Sequence, residues 1–145
     1  MTTPYDPAIR IKRRQVDDIA RQIGDALARV ASLDEGVEQL AGDARREAMC
    51  GAEAPMVSSH HYAARLRTRR AGLMEERAFT QARLVSLRAE AASAIASLQA
   101  IETAAERHRA EHKRRRDNAV QAQLDDMVAS SVVRRHHASR EHRTS

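Results

Sequence analysis

Residues 9–47 read IRIKRRQVDDIARQIGDALARVASLDEGVEQLAGDARRE, and the spacing of their apolar side chains decides the fold. Counting in sevens from Ile9 gives Ile9, Val16, Ile23, Val30, Val37 and Ala44. Three residues after each come Lys12, Ile19, Ala26, Leu33, Leu40 and Glu47. One seam position is mostly β-branched and the other mostly Ile or Leu, and polar residues enter only at the ends. This is the heptad of a helix that buries a narrow stripe against another helix.

The pattern stops in the segment Cys50-Gly51-Ala52-Glu53-Ala54-Pro55-Met56-Val57-Ser58-Ser59. Gly51 suits a helix C-cap, Pro55 cannot continue a helix, and Ser58 or Ser59 can cap the next one. The segment reads as a hairpin turn. Beyond it the heptad resumes as Leu66, Leu73, Thr80, Leu87, Ala94 and Ile101, with Arg77, Leu84, Ala91, Leu98 and Ala105 at the second seam position. After His108 the seam positions turn polar. Val120, Leu124, Met127 and Val128 fall out of phase, as after a stutter. The predicted fold is therefore all-α, a long antiparallel two-helix coiled-coil hairpin. Helix 1 covers about 7–50, the turn about 51–58, helix 2 about 59–130, and a frayed basic tail about 131–145. Asp6-Pro7 reads as the opening of helix 1, with Asp as cap and Pro at the first helical position. At 1.5 Å per residue helix 1 spans roughly 65 Å and helix 2 roughly 105 Å, so the C-terminal third overhangs.

Composition agrees. In 145 residues there are 28 Ala, no Trp, one Phe and two Tyr, so a thick core is excluded. The only prolines are Pro4, Pro7 and Pro55. Gly24, Gly36 and Gly42 interrupt helix 1, each costing up to about 1 kcal/mol relative to Ala unless packing requires it. The single Cys50 excludes an internal disulfide and fits a reducing compartment. With no long apolar run and no leader-like N-terminus, a cytoplasmic location is expected.

The net charge of +5 is uneven. Residues 1–51 carry 8 basic and 9 acidic side chains, residues 52–104 carry 7 and 5, and residues 105–145 carry 10 and 6. Two basic clusters stand out, Arg10, Lys12, Arg13 and Arg14, and Lys113, Arg114, Arg115 and Arg116, and with Arg109 they are the candidate partner-binding residues. The excess sits in the C-terminal third, where a polyanion or an acidic protein surface is the natural partner. A turn near Ala54 would set Asp34, Glu35, Glu38, Asp43 and Glu47 of helix 1 beside Arg65, Arg67, Arg69 and Arg70 of helix 2. Each such exposed pair contributes a few tenths of a kcal/mol.

Little in the chain points to catalysis. His108-Arg109-Ala110-Glu111-His112 matches the H-x-x-E-H pattern of inverted zinc peptidases, but a catalytic zinc needs a third ligand and a walled cavity. The expectation is a chain with no catalytic residue, metal or cofactor. No phosphate-binding glycine loop or nucleophile elbow is present. The basic clusters lack the aromatic residues of a nucleic-acid stacking platform, so nucleic acid would be held through phosphates alone and lost with salt.

The chain resembles the FliJ family of flagellar type III export proteins. The likeness rests on length, on the two-helix layout about the Gly51 to Ser59 break, and on Ala105-Glu-Arg-His-Arg-Ala-Glu-His-Lys113 followed by Leu124-Asp125-Asp126. The Pro4-Tyr-Asp-Pro7-Ala-Ile-Arg10 opening is also similar to some members. The family commonly joins the Arg-Glu-Lys block more directly to Leu-Asp-Glu; here Arg114 to Gln123 intervene. The resemblance implies a coiled coil similar to a rotary-ATPase stalk, which binds the hexameric export ATPase and contacts the export-gate membrane protein. It would sit at the cytoplasmic face of the membrane through these partners. It implies further that the Arg10 to Arg14 cluster and the C-terminal third, Leu124 included, face the ATPase, and that the turn end faces another export component. Two other readings use the same features: a basic coiled coil on nucleic acid or anionic membrane, and a structural spacer that pairs with a second copy as a homodimer.

Overall fold

The computed structural model describes residues 2–53, 58–141 and 143. Two helices account for nearly all of them, α1 over Asp6–Glu53 and α2 over Ser58–Glu141. Among the described residues there is no strand. Ala and Arg are the commonest residues of both helices, and both lose little freedom on entering a helix. The chain falls into two compact units: a hairpin unit, Arg10–Leu98, and a terminal unit made of Met1–Ile9 with Gln99–Ser145.

In the hairpin unit α1 and α2 run antiparallel and pack along the heptad seam. Ile19, Leu33, Leu40, Leu84, Leu87 and Ala94 are buried. Val16, Ile23, Ala26, Val30 and Val37 on α1, and Leu66, Leu73, Arg77, Thr80, Ala91 and Leu98 on α2, are half-buried. Ile19, Leu87 and Ala94 form the buried centre, with Val16, Ile23, Ala26 and Ala91 against it. Only Leu33 and Leu87 are large and almost wholly buried, each 2 % exposed, and burial of each contributes about 1.5–3 kcal/mol. Arg29 Nε donates to Glu76 Oε1 at 2.8 Å, Arg77 pairs with Asp34, and Arg83 donates to Gln22. The place where a Gly36 Cβ would sit lies 3.3 Å from Leu73 Cδ1. These four cross-helix pairs share midpoints between residues 52 and 56, which sets the register.

Three features of this unit differ from the sequence reading. α1 runs through Gly51 to Glu53, so the helix does not stop at a Gly51 cap. Residues 54–57 of the expected turn lie outside the described residues. The expected ladder of acidic α1 residues on Arg65 to Arg70 does not form: Asp34 takes Arg77, and Asp43 takes Arg46 on its own helix. Asp43 and Arg46 are i,i+3 neighbours on one helix, whereas Asp34 meets Arg77 across the seam. Ala44 occupies a seam position yet is exposed.

In the terminal unit Ile9 and Ala105 are buried and Ile101 and His108 half-buried, continuing the heptad positions. The helix start also differs from expectation. Asp6 is the first helical residue rather than a cap outside it. Its carboxylate turns back, accepting from Thr3 N–H at 2.8 Å and from the Thr3 hydroxyl at 2.5 Å, while Asp6 N–H donates to Thr3 C=O at 3.1 Å. Thr3 is buried and takes the cap position of this turn through its C=O, its hydroxyl donating to the carboxylate instead of accepting a helix N–H. An acidic residue three positions on reaches back to the cap N–H, as in a capping box. At its other end α2 stays helical to Glu141, not to about 130. No Pro or Gly occurs after Gly72, so nothing in the backbone breaks the helix there.

Candidate functional site

The terminal unit begins with a clasp. Arg109 Nη2 reaches Asp6 Oδ1 at 3.2 Å, so one carboxylate ties the helix start, through Thr3, to α2. The hydrogen bonds from the Thr3 hydroxyl and amide hold the Asp6 carboxyl below the usual carboxylate range, with Arg109 adding to the effect and partial burial opposing it. One position back on α2, the His108 ring meets Tyr5 edge-to-face, with centroids 5.9 Å apart. His108 Nδ1 is buried and has no hydrogen-bond partner among the described residues.

From Arg109 to Ser130 every residue of α2 is exposed. Arg115 pairs with Glu111 four residues before it. Lys113, Arg114 and Arg116 form no ion pair with another described residue. Beyond them come Val120, Leu124, Met127 and Val128, which are 50–68 % exposed. Offsets of four, seven and eight residues from Val120 put these four on one side of the helix. Lys113 lies seven residues before Val120 and Arg135 seven after Val128, on the same face, with Asp117 between Lys113 and Val120. Asp125 and Asp126 lie off it. In chemical terms the stripe is a short apolar strip spanning roughly 12 Å from Val120 to Val128, with more cations than carboxylates around it.

The other predicted basic cluster belongs to the hairpin unit. Arg10, Arg13 and Arg14 are exposed there, while Lys12 is half-buried at its seam position, its Nζ donating to Gln15 at 3.1 Å. Lys12 therefore covers the seam end with its methylenes and points its charge outward.

The zinc-like pattern is not assembled into a site. His112 is exposed, His108 is turned against Tyr5, and Glu111 is engaged by Arg115. Among the described residues no group of three His, Cys, Asp or Glu is placed to hold a metal ion. Cys50 is a free, exposed thiol. No described helix is long and apolar enough to cross a membrane.

The sequence reading missed the Thr3–Asp6–Arg109 clasp. The Thr3-x-x-Asp6 spacing is a signal for its local half; the Arg109 half, a contact over 103 positions, has none. Compared with family models, curated proteins and solved structures, the chain matches none of them.

Proposed function

We propose that this chain is a non-enzymatic coiled-coil component of the flagellar type III protein export apparatus. It binds the export ATPase hexamer in the manner of a rotary-ATPase stalk, regulates it, and contacts the export-gate membrane protein, so that it is held at the membrane through its partners. The observation that carries the reading is the exposed run of α2 beyond His108, an apolar stripe with Lys113, Asp117 and Arg135 flanking it and with Arg114 and Arg116 in no ion pair with another described residue. A helix that leaves an apolar stripe uncovered by its own chain offers that stripe to a second protein. The family resemblance supplies the identity of that protein.

The test uses the full chain with the purified ATPase. Adding it is expected to promote ATPase oligomerisation and to change turnover. Replacing Arg114, Arg115 and Arg116 by Glu should weaken the effect about tenfold or more, with a steep dependence on salt. Absence of any effect from the intact chain overturns the reading. Binding to duplex DNA or anionic vesicles at near-physiological salt, in place of the ATPase, would support the basic nucleic-acid or membrane reading that the same cations favour.

A further inference from the structure

The hairpin unit closes along its seam from Val16 to Leu40 but opens at the end where α1 stops and α2 begins. The cause lies in the residues at the seam positions. Leu40 is followed on α1 by Ala44 and then Glu47, and on α2 the corresponding positions carry Ala63, Leu66 and Arg70. Two methyl groups stand where branched side chains would meet, and two charged residues cannot fill the rest. What remains is an open groove of about 810 Å³, floored by Leu40, Ala44, Ala48, Ala63 and Leu66. Ala44 is exposed although it occupies a seam position, and Leu66 is only half-buried.

A second, independent feature surrounds this groove. Arg45, Arg67, Arg70 and His60 line it, against one carboxylate, Glu47. Arg65, Arg67, Arg69 and Arg70 are all exposed and form no ion pair with another described residue. Asp43, the nearby acid of α1, is held by Arg46. An apolar floor and a net positive rim therefore coincide.

We propose that this open seam is a docking groove for a partner's amphipathic helix, one with large apolar side chains at three- and four-residue spacing flanked by carboxylates. Leu40 to Ala48 covers two turns of α1, roughly 12 Å, enough for two turns of a third helix laid in the groove. The alanines let its backbone approach closely, and its Leu-sized side chains would take the places left empty at Ala44 and Ala63. Flanking carboxylates would meet Arg67 and Arg70. A second copy of this chain does not fit that description. Its own exposed apolar strip, Val120 to Val128, has one carboxylate on its face, Asp117, against Lys113, Arg116 and Arg135, and would bring mostly cations to a positive rim. The inference does not depend on the export reading, since a different partner at the terminal unit leaves it standing.

The test titrates the full-length chain into a labelled helical peptide of about 18 residues with Leu at three- and four-residue spacing and Glu at both flanks. The same peptide with Lys flanks is the control. The Glu peptide is expected to bind and the Lys peptide not, with affinity falling as salt rises. Ala44→Leu with Ala63→Leu fills the groove from within, so binding should fall about tenfold or more while the melting temperature holds or rises. Arg67→Glu with Arg70→Glu alters exposed groups only and should weaken binding about tenfold without loss of helix signal. No binding of the Glu peptide, equal binding of the Lys peptide, or binding indifferent to both double variants overturns the proposal. So does a dimer of the chain itself that Ala44→Leu and Ala63→Leu dissolve.

Discussion

Replacing Gly24 and Gly36 by alanine, one at a time, separates helix propensity from packing within a single helix. Each glycine lies in α1 with an ordinary helical φ, and an interior Gly→Ala change in a helix is worth about 1 kcal/mol in favour of folding. At Gly24 a Cβ would meet nothing within 4 Å, so the full gain is expected. At Gly36 the new Cβ would stand 3.3 Å from Leu73 Cδ1. Leu73 must then turn away by a few tenths of an ångström, and leaving a good rotamer costs about 0.5–1.5 kcal/mol. Gain and cost cancel, and the expected net is about zero. Urea denaturation followed by circular dichroism gives the answer through the midpoint, provided the slope is unchanged. A thermal scan should show Gly24→Ala raised by about 4 °C for each kcal/mol in a chain of this size. A Gly36→Ala variant as stable as Gly24→Ala would refute the close approach of α1 and α2 at Leu73. A destabilised Gly24→Ala would mean that something outside the chain covers that face.

Three further outcomes follow from the packing and the clasp. Leu33→Ala or Leu87→Ala should each cost about 2–5 kcal/mol in the same denaturation assay, whereas Leu124→Ala, half-exposed on α2, should leave the melting point of the free chain where it was. A double-mutant cycle on Asp34 and Arg77 should give a coupling of only about 0.2–1 kcal/mol, shrinking with added salt, because both side chains are partly solvated. Acidification should release the clasp. The Asp6 carboxyl is depressed in the folded chain, so its contribution is present above its ordinary value near 3.8 and is lost as pH falls through the lower folded value. Amide exchange at Thr3 and the first turn of α1 should rise in that range, and Thr3→Ala should shift the change to higher pH.

The heptads were legible from composition and spacing alone. Burial follows the counted positions from Ile9 to Leu40 on α1 and from Leu66 to Ala105 on α2, including the awkward members Lys12, Arg77 and Thr80. Such a pattern survives because helical periodicity is a property of the backbone, and one narrow stripe is all that two helices need to bury. The basic content of the C-terminal third and the exposed residues after His108 were readable for the same reason: a polar seam has nothing to bury.

Tertiary structure alone decided which charges meet and where the seam closes. Asp34 chose Arg77 and Asp6 chose Arg109, contacts over 43 and 103 positions that depend on the depth and angle at which two helices pack. Ala44 kept its place in the heptad but not its burial, since whether a small residue is covered depends on the size of what faces it. Helix ends were equally hard to place: α2 ran on to Glu141, where no Pro or Gly interrupts the backbone. Periodicity is local and additive along the chain; closure of a seam and choice of an ion-pair partner are properties of two surfaces at once.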